Sequence, residues 1–101
     1  MNTFLQTSGA DAVARFVSDA YKFYIANKFA ASREAFENLL AHKQAGGMGF
    51  SEAFSQAEQA LEAHIVSMGV SREVARSRSY VISGDFLHLY SSRKQACNEA
   101  A

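Results

Sequence analysis

Proline and tryptophan are absent from this sequence, and its 101 residues include one cysteine, Cys97. Without proline, the ends of helices have to be marked by glycine and by capping side chains. A single cysteine cannot form an intramolecular disulfide, which excludes a disulfide-stabilised scaffold of the kind found in oxidising compartments. The fold must therefore be held together by an ordinary hydrophobic core.

Long apolar runs and net charge are also lacking. No stretch of about 18 apolar residues is present, so we expect no membrane span. The first residues, MNTFLQTSGAD, lack the basic head and the apolar body of a signal peptide, and we therefore expect a cytoplasmic protein. The formal net charge is zero, so any affinity for nucleic acid has to come from an uneven distribution of charge.

The sequence does contain enough apolar bulk for one core. Hydrophobic residues make up 49% of the chain and charged residues 20%, with eight phenylalanines and four tyrosines. This composition is typical of a globular protein and unlike that of a disordered one. The length predicts one domain, residues 1–101, which we expect to be helical. Its last residues, from about 92 to 101, are mostly polar and are expected to form a C-terminal tail.

Apolar residues recur at intervals of three and four, which predicts helices. The first helix is expected from Ala10 to about Lys28, behind a cap at Thr7 or Ser8. A second helix opens at Ser32, although no strong breaker separates it from the first, and the three glycines of QAGGMGF end it.

The C-terminal half continues this pattern. Ser51 is predicted to cap a third helix that closes on Gly69, and Ser71 caps a fourth. Gly84 is expected to interrupt the fourth helix, with Asp85 capping a fifth. The predicted fold class is all-α, a compact bundle of four to five short helices.

Three arginines lie close together on the fourth predicted helix. At about 100° per residue, a polar face collects Arg72, Arg76, Ser79, Tyr80 and Ser83. The opposite face is apolar and is predicted to pack on the core with Val74, Ala75, Val81 and Ile82. Arg78 falls within this apolar face, where it must snorkel to water, pair with an acid such as Asp85 or Glu62, or face a partner.

Charge is unevenly distributed along the chain. No lysine or arginine occurs between Lys43 and Arg72, where three glutamates lie, whereas the segment from His64 to Lys94 contains five basic residues and two acids. If a fifth helix packs beside the fourth, Arg93 and Lys94 extend the arginine patch.

Guanidinium groups, hydroxyls and an aromatic ring together suit a phosphate backbone with unpaired bases. The same cluster is also compatible with an ordinary solvated surface. The residues predicted to bind nucleic acid or a partner are Ser71, Arg72, Arg76, Arg78, Ser79, Tyr80, Arg93 and Lys94.

Residues 60–81, ALEAHIVSMGVSREVARSRSYV, resemble a helix-turn-helix, with Gly69, Val70 and Ser71 as the turn. The resemblance implies that the second helix enters the major groove and that its early residues, Arg72 among them, read bases. Two positions depart from the family's pattern: Ile65 is bulky where a small residue is usual, and Arg78 is charged where the family packs an apolar side chain. A DNA-binding repressor is therefore one alternative.

The whole chain, through stretches such as SGADAVARF, GGMGFSEAF and GVSREVARSRS, resembles in type the small all-helical anti-CRISPR proteins of phages that act on type I systems. The resemblance implies a non-enzymatic inhibitor in the bacterial cytoplasm. Such an inhibitor acts by occupancy on the Cas effector complex or on its DNA, including the displaced single strand. No residue roles follow from it.

No catalytic arrangement is recognisable. His42, His64 and His88 lie on different predicted helices, which disfavours a zinc site, and GGMGF lacks the lysine and the preceding strand of a phosphate loop. We expect no catalytic residue, metal ion, cofactor or small-molecule substrate, and hence no enzyme. A further alternative is a protein–protein adaptor or antitoxin-type module that uses Met48 and Phe50.

Overall fold

A computed structural model describes the backbone of residues 9–100 and the side chains of residues 11–93. This part of the chain forms four helices and no strand: α1 (Gly9–Ile25), α2 (Phe29–Ala45), α3 (Phe50–Ser67) and α4 (Arg72–Ala100). The predicted all-α fold is confirmed. The caps predicted at Thr7 and Ser8 lie outside the described residues.

The turn between α1 and α2 comes earlier than predicted. Helix α1 ends at Ile25, and α2 begins at Phe29, because Asn27 adopts a left-handed conformation with φ 62°. Asparagine is one of the few residues besides glycine that tolerates this region. Ser32, predicted to open α2, is instead buried inside it, and its hydroxyl donates a hydrogen bond to the Ala20 carbonyl 2.7 Å away. This bond links the two helices.

The turns around α3 agree with the sequence in part. The N-cap of α3 is Gly49, so the predicted capping role of Ser51 is wrong. At the other end, Gly69 has φ 92°, the left-handed conformation expected of a residue that closes a helix. The Ser71 hydroxyl accepts a hydrogen bond from the backbone N–H of Val74 at 3.3 Å, which confirms Ser71 as the cap of α4.

Helix α4 is continuous, and the predicted break at Gly84 is wrong. The helix runs for 29 residues, through Gly84 and through the predicted polar tail to Ala100. Glycine costs about 1 kcal/mol in a helix interior, and burial of Ile82 and Phe86 on either side of it outweighs that cost, since each buried side chain contributes about 1.5–3 kcal/mol. Asp85, predicted to cap a fifth helix, instead forms an ion pair with Arg33 of α2 at 2.9 Å.

The core lies where the four helices meet. Its centre is aromatic: the rings of Phe36 and Phe86 are fully buried, with centroids 5.3 Å apart. Leucine, isoleucine and alanine fill the space around them, at Ala20, Leu39, Ala53, Ala57, Leu61, Ile65 and Ala75 among others.

None of the helices in the described part of the chain combines the length and the hydropathy of a membrane span.

Candidate functional site

Helix α4 buries a different face from the one predicted. Ala75 and Ile82 are buried as expected, but Val81 is 49% exposed and Val74 is exposed as well. The remaining buried positions on this face are Ser79, Ser83 and Phe86. At about 100° per residue, the centre of the buried face is rotated by roughly 85° from the predicted one. Ser79 is therefore part of the packed interior, and its predicted role in partner binding is wrong.

Hydrogen bonds within α4 and to α3 explain how two serines occupy the interior. The Ser79 hydroxyl donates to the Arg76 carbonyl at 3.0 Å, one turn earlier in the same helix. The Ser83 hydroxyl lies 2.5 Å from a carboxylate oxygen of Glu58 on α3 and 3.3 Å from the Tyr80 carbonyl. Because these bonds satisfy both hydroxyls, the serine-containing face of α4 can pack against α3 at a small cost in desolvation free energy.

The rotation of α4 leaves three of the predicted contact residues aligned on its surface. Arg72, Arg76 and Tyr80 are spaced four residues apart and span about 80° of the helix, and we call them the arginine row. The Arg76 side chain is 56% exposed, Tyr80 is 55% exposed, and Arg72 is exposed at the first turn. Ser71 is exposed at the start of the row.

An open groove of about 420 Å³ runs beside the row, between α3 and α4. Glu62, from α3, lies in this groove and pairs with Arg76 at 3.7 Å. Arg72 forms no ion pair with any residue whose side chain the structure describes. The unpaired positive charge of the row is therefore concentrated at the N-terminal end of α4, where free backbone N–H groups also favour an anion.

Arg78 lies on a different side of α4 from the row. Its guanidinium donates a hydrogen bond to the hydroxyl of Tyr21 on α1, and the guanidinium carbon is 5.9 Å from the centroid of the same ring. Neither of the two predicted acids is its partner, because Asp85 pairs with Arg33 and Glu62 pairs with Arg76. Arg78 is thus separated from the surface that contains Arg72 and Arg76.

The patch does not extend along the chain to Arg93. Because α4 does not fold back at Gly84, Arg93 lies about 30 Å from Arg72 along the helix axis, at about 1.5 Å per residue. Its guanidinium is 3.8 Å from a carboxylate oxygen of Glu37 on α2. The side chain of Lys94, the other residue predicted to extend the patch, lies outside the described residues.

The apolar residues predicted to face a protein partner are not fully exposed. Met48 and Phe50 are half-buried against the core, and the Phe50 ring stacks on Tyr90 with centroids 5.1 Å apart. The large apolar side chains exposed in the described part of the chain lie elsewhere, at Ile25, Phe29, Met68, Val74, Tyr80, Val81, Leu87 and Leu89. The sequence predicted Tyr80 at the surface, whereas Val74 and Val81 were assigned to the core face of the helix.

Neither a protein-family model nor a curated protein nor a solved structure matches this chain. Within the residues that the structure describes, no group of three or more histidine, cysteine, aspartate or glutamate side chains is arranged to hold a metal ion.

Proposed function

We propose that this protein is a non-enzymatic binding inhibitor that contacts single-stranded nucleic acid through the arginine row. The observation that carries the proposal is the exposure of Arg72, Arg76 and Tyr80 on one side of a capped helix end. Guanidinium groups donate paired hydrogen bonds to phosphate oxygens, and an exposed aromatic ring provides a platform on which an unpaired base stacks. The row is short, so it suits a few nucleotides.

The resemblance to all-helical anti-CRISPR proteins supplies the proposed target. In this proposal the protein occupies the DNA-binding surface of a type I Cas effector complex, or holds the single strand that the complex displaces. An inhibitor that acts by occupying a binding surface needs a rigid contact surface and no catalytic residue. The arginine row lies on a helix rather than on a loop, which meets the need for rigidity. The proposed setting is the cytoplasm of the bacterial host.

Salt-dependent titration of labelled oligonucleotides tests the nucleic-acid contact. With two phosphate contacts, affinity for single-stranded DNA should fall about sevenfold between about 50 mM and about 200 mM salt, and single-stranded DNA should bind better than duplex DNA. The double variant Arg72→Glu/Arg76→Glu should lose binding. A matched control, Arg15→Glu/Lys28→Glu, introduces the same charge change at exposed positions on α1 and in the α1–α2 turn and should retain it.

Two results count against this proposal. Equal loss of binding in the test variant and in the matched control would mean that only overall charge matters. No binding of the unmodified protein to either form of DNA at low salt would remove nucleic acid as the target, and would leave the protein surface of an effector complex as the site of inhibition.

A helix-turn-helix repressor is the second candidate, and the geometry of the turn favours it. Helix α3 ends at Ser67, Gly69 is left-handed, and Ser71 caps α4, as the resemblance implies. Repressors of this kind bind two half-sites as dimers. A monomer in sedimentation equilibrium, together with preference for single-stranded over duplex DNA, would eliminate this candidate.

A further inference from the structure

A second groove lies on the side of α4 away from the arginine row, where α1, α3 and α4 meet. Its volume is about 480 Å³, and its walls include Tyr21, Lys22, Ile25, His64, Met68 and Arg78. This volume is within the range of about 300–1,000 Å³ that is typical of ligand sites.

Large apolar side chains are exposed at this groove. Ile25 is 54% exposed and Met68 is 57% exposed, so two large aliphatic side chains at the mouth of the groove remain in contact with water. A smaller groove of about 200 Å³, with Tyr24 and Val81 in its walls, follows three residues further along both α1 and α4. Residues of α1 and α4 line both grooves, and we call the two grooves together the seam. The carboxylate that lines the smaller groove, Asp85, pairs with Arg33.

The charges of the larger groove have one sign. Lys22 and Arg78 contribute positive charge and His64 a further basic ring, while no carboxylate is among the residues that line it. Arg78 is held in place by the Tyr21 hydroxyl, a neutral partner, so its charge is not compensated by any described acid. A guanidinium has five N–H donors, and the Tyr21 hydroxyl engages only one of its nitrogens.

We propose that this seam binds an acidic amphipathic helix of a partner protein. Apolar side chains of that helix would cover Ile25 and Met68 at intervals of three and four residues, and a carboxylate would pair with Arg78. Helix-in-groove recognition uses this spacing, and a fixed arginine loses less entropy on binding than a mobile one. The apolar walls distinguish this surface from the arginine row, so the inference goes beyond the proposed nucleic-acid contact.

Two synthetic helical peptides of about 15 residues test the seam. Both contain leucines at intervals of three and four; the first has glutamates on the flank of the apolar face, and the second has lysines at those positions. Backbone amide shifts of the isotopically labelled protein locate the bound peptide. We expect the acidic peptide to bind more tightly, with shifts centred on Ile25, Met68 and Arg78. Arg78→Glu should weaken its binding about tenfold or more, as expected for loss of a charge-assisted pair, and should improve binding of the lysine peptide.

Several outcomes would overturn the proposal: equal binding of the two peptides, binding of neither, or shifts at the seam caused by single-stranded DNA. Lys22→Glu, at an exposed position, is the second variant. It should also weaken binding of the acidic peptide, whether or not Arg78→Glu folds. The double variant Arg72→Glu/Arg76→Glu should bind the acidic peptide normally. Loss of DNA binding and loss of peptide binding therefore report on separate proposals.

Discussion

The guanidinium of Arg78 on α4 contacts both the hydroxyl and the ring of Tyr21 on α1. An arginine at the edge of a core usually reaches water or an acid. Here a phenol hydroxyl and the ring beneath it take that role. The sequence identified Arg78 as misplaced on an apolar helix face, but it contained no signal that pointed to Tyr21, which is 57 residues away.

Removal of the Tyr21 hydroxyl should destabilise the protein. Tyr21→Phe keeps the ring and leaves the guanidinium without its acceptor, so we expect a loss of about 1–2 kcal/mol in the free energy of unfolding. Tyr24→Phe is the matched control, because Tyr24 lies on the same helix and packs on Phe29 by its ring edge. Urea denaturation of both variants is the measurement, and equal stability of the two would show that the hydrogen bond contributes nothing.

The orientation of α4 gives a second prediction at the scale of single residues. Ser79→Leu places a large side chain in a closely packed interior and should cost about 1–3 kcal/mol. Val81→Ser alters a half-exposed position and should change stability by about 0.5 kcal/mol or less. The hydrophobicity of the two residues predicts the opposite order, so thermal or urea denaturation distinguishes the two orientations. A larger loss of stability from Val81→Ser than from Ser79→Leu would support the orientation expected from the sequence.

Among the helices, α4 departs most from what its sequence indicates. Helical periodicity correctly predicted α1, α2 and α3 to within a few residues, because apolar residues at intervals of three and four leave few alternatives. Gly84 suggested a break in α4 that the structure does not contain, because local propensity is weaker than the burial of Phe86 and its neighbours.

Glycine replacements test the continuity of α4. Gly84 has a helical backbone, and an added Cβ would meet no atom within 4 Å, so Gly84→Ala should stabilise the protein by about 0.5–1 kcal/mol. Gly69→Ala should instead destabilise it by about 1 kcal/mol, because Gly69 has φ 92°. The unfolding free energies of the two variants should therefore change in opposite directions, and destabilisation by Gly84→Ala would mean that α4 bends at this residue.

At the scale of the whole molecule, one of the glutamates that precede α4 in the chain is compensated by an arginine of α4, since Glu62 pairs with Arg76. Glu58 accepts a hydrogen bond from the neutral Ser83 hydroxyl and keeps its charge without a described cationic partner. This compensation between α3 and α4 depends on tertiary packing and was not visible in the linear order of charges. What remains is a short arginine row on one side of α4 and a basic apolar seam on the other.

In the proposed function, the arginine row and not the seam contacts single-stranded nucleic acid. Mapping of backbone amide shifts of the labelled protein during titration with a single-stranded oligonucleotide tests it most directly. We predict that the largest shifts fall at Ser71, Arg72, Arg76 and Tyr80, with Lys22, Ile25 and Met68 unchanged. Shifts centred on the seam between α1 and α4, or no shifts at all, would contradict the claim.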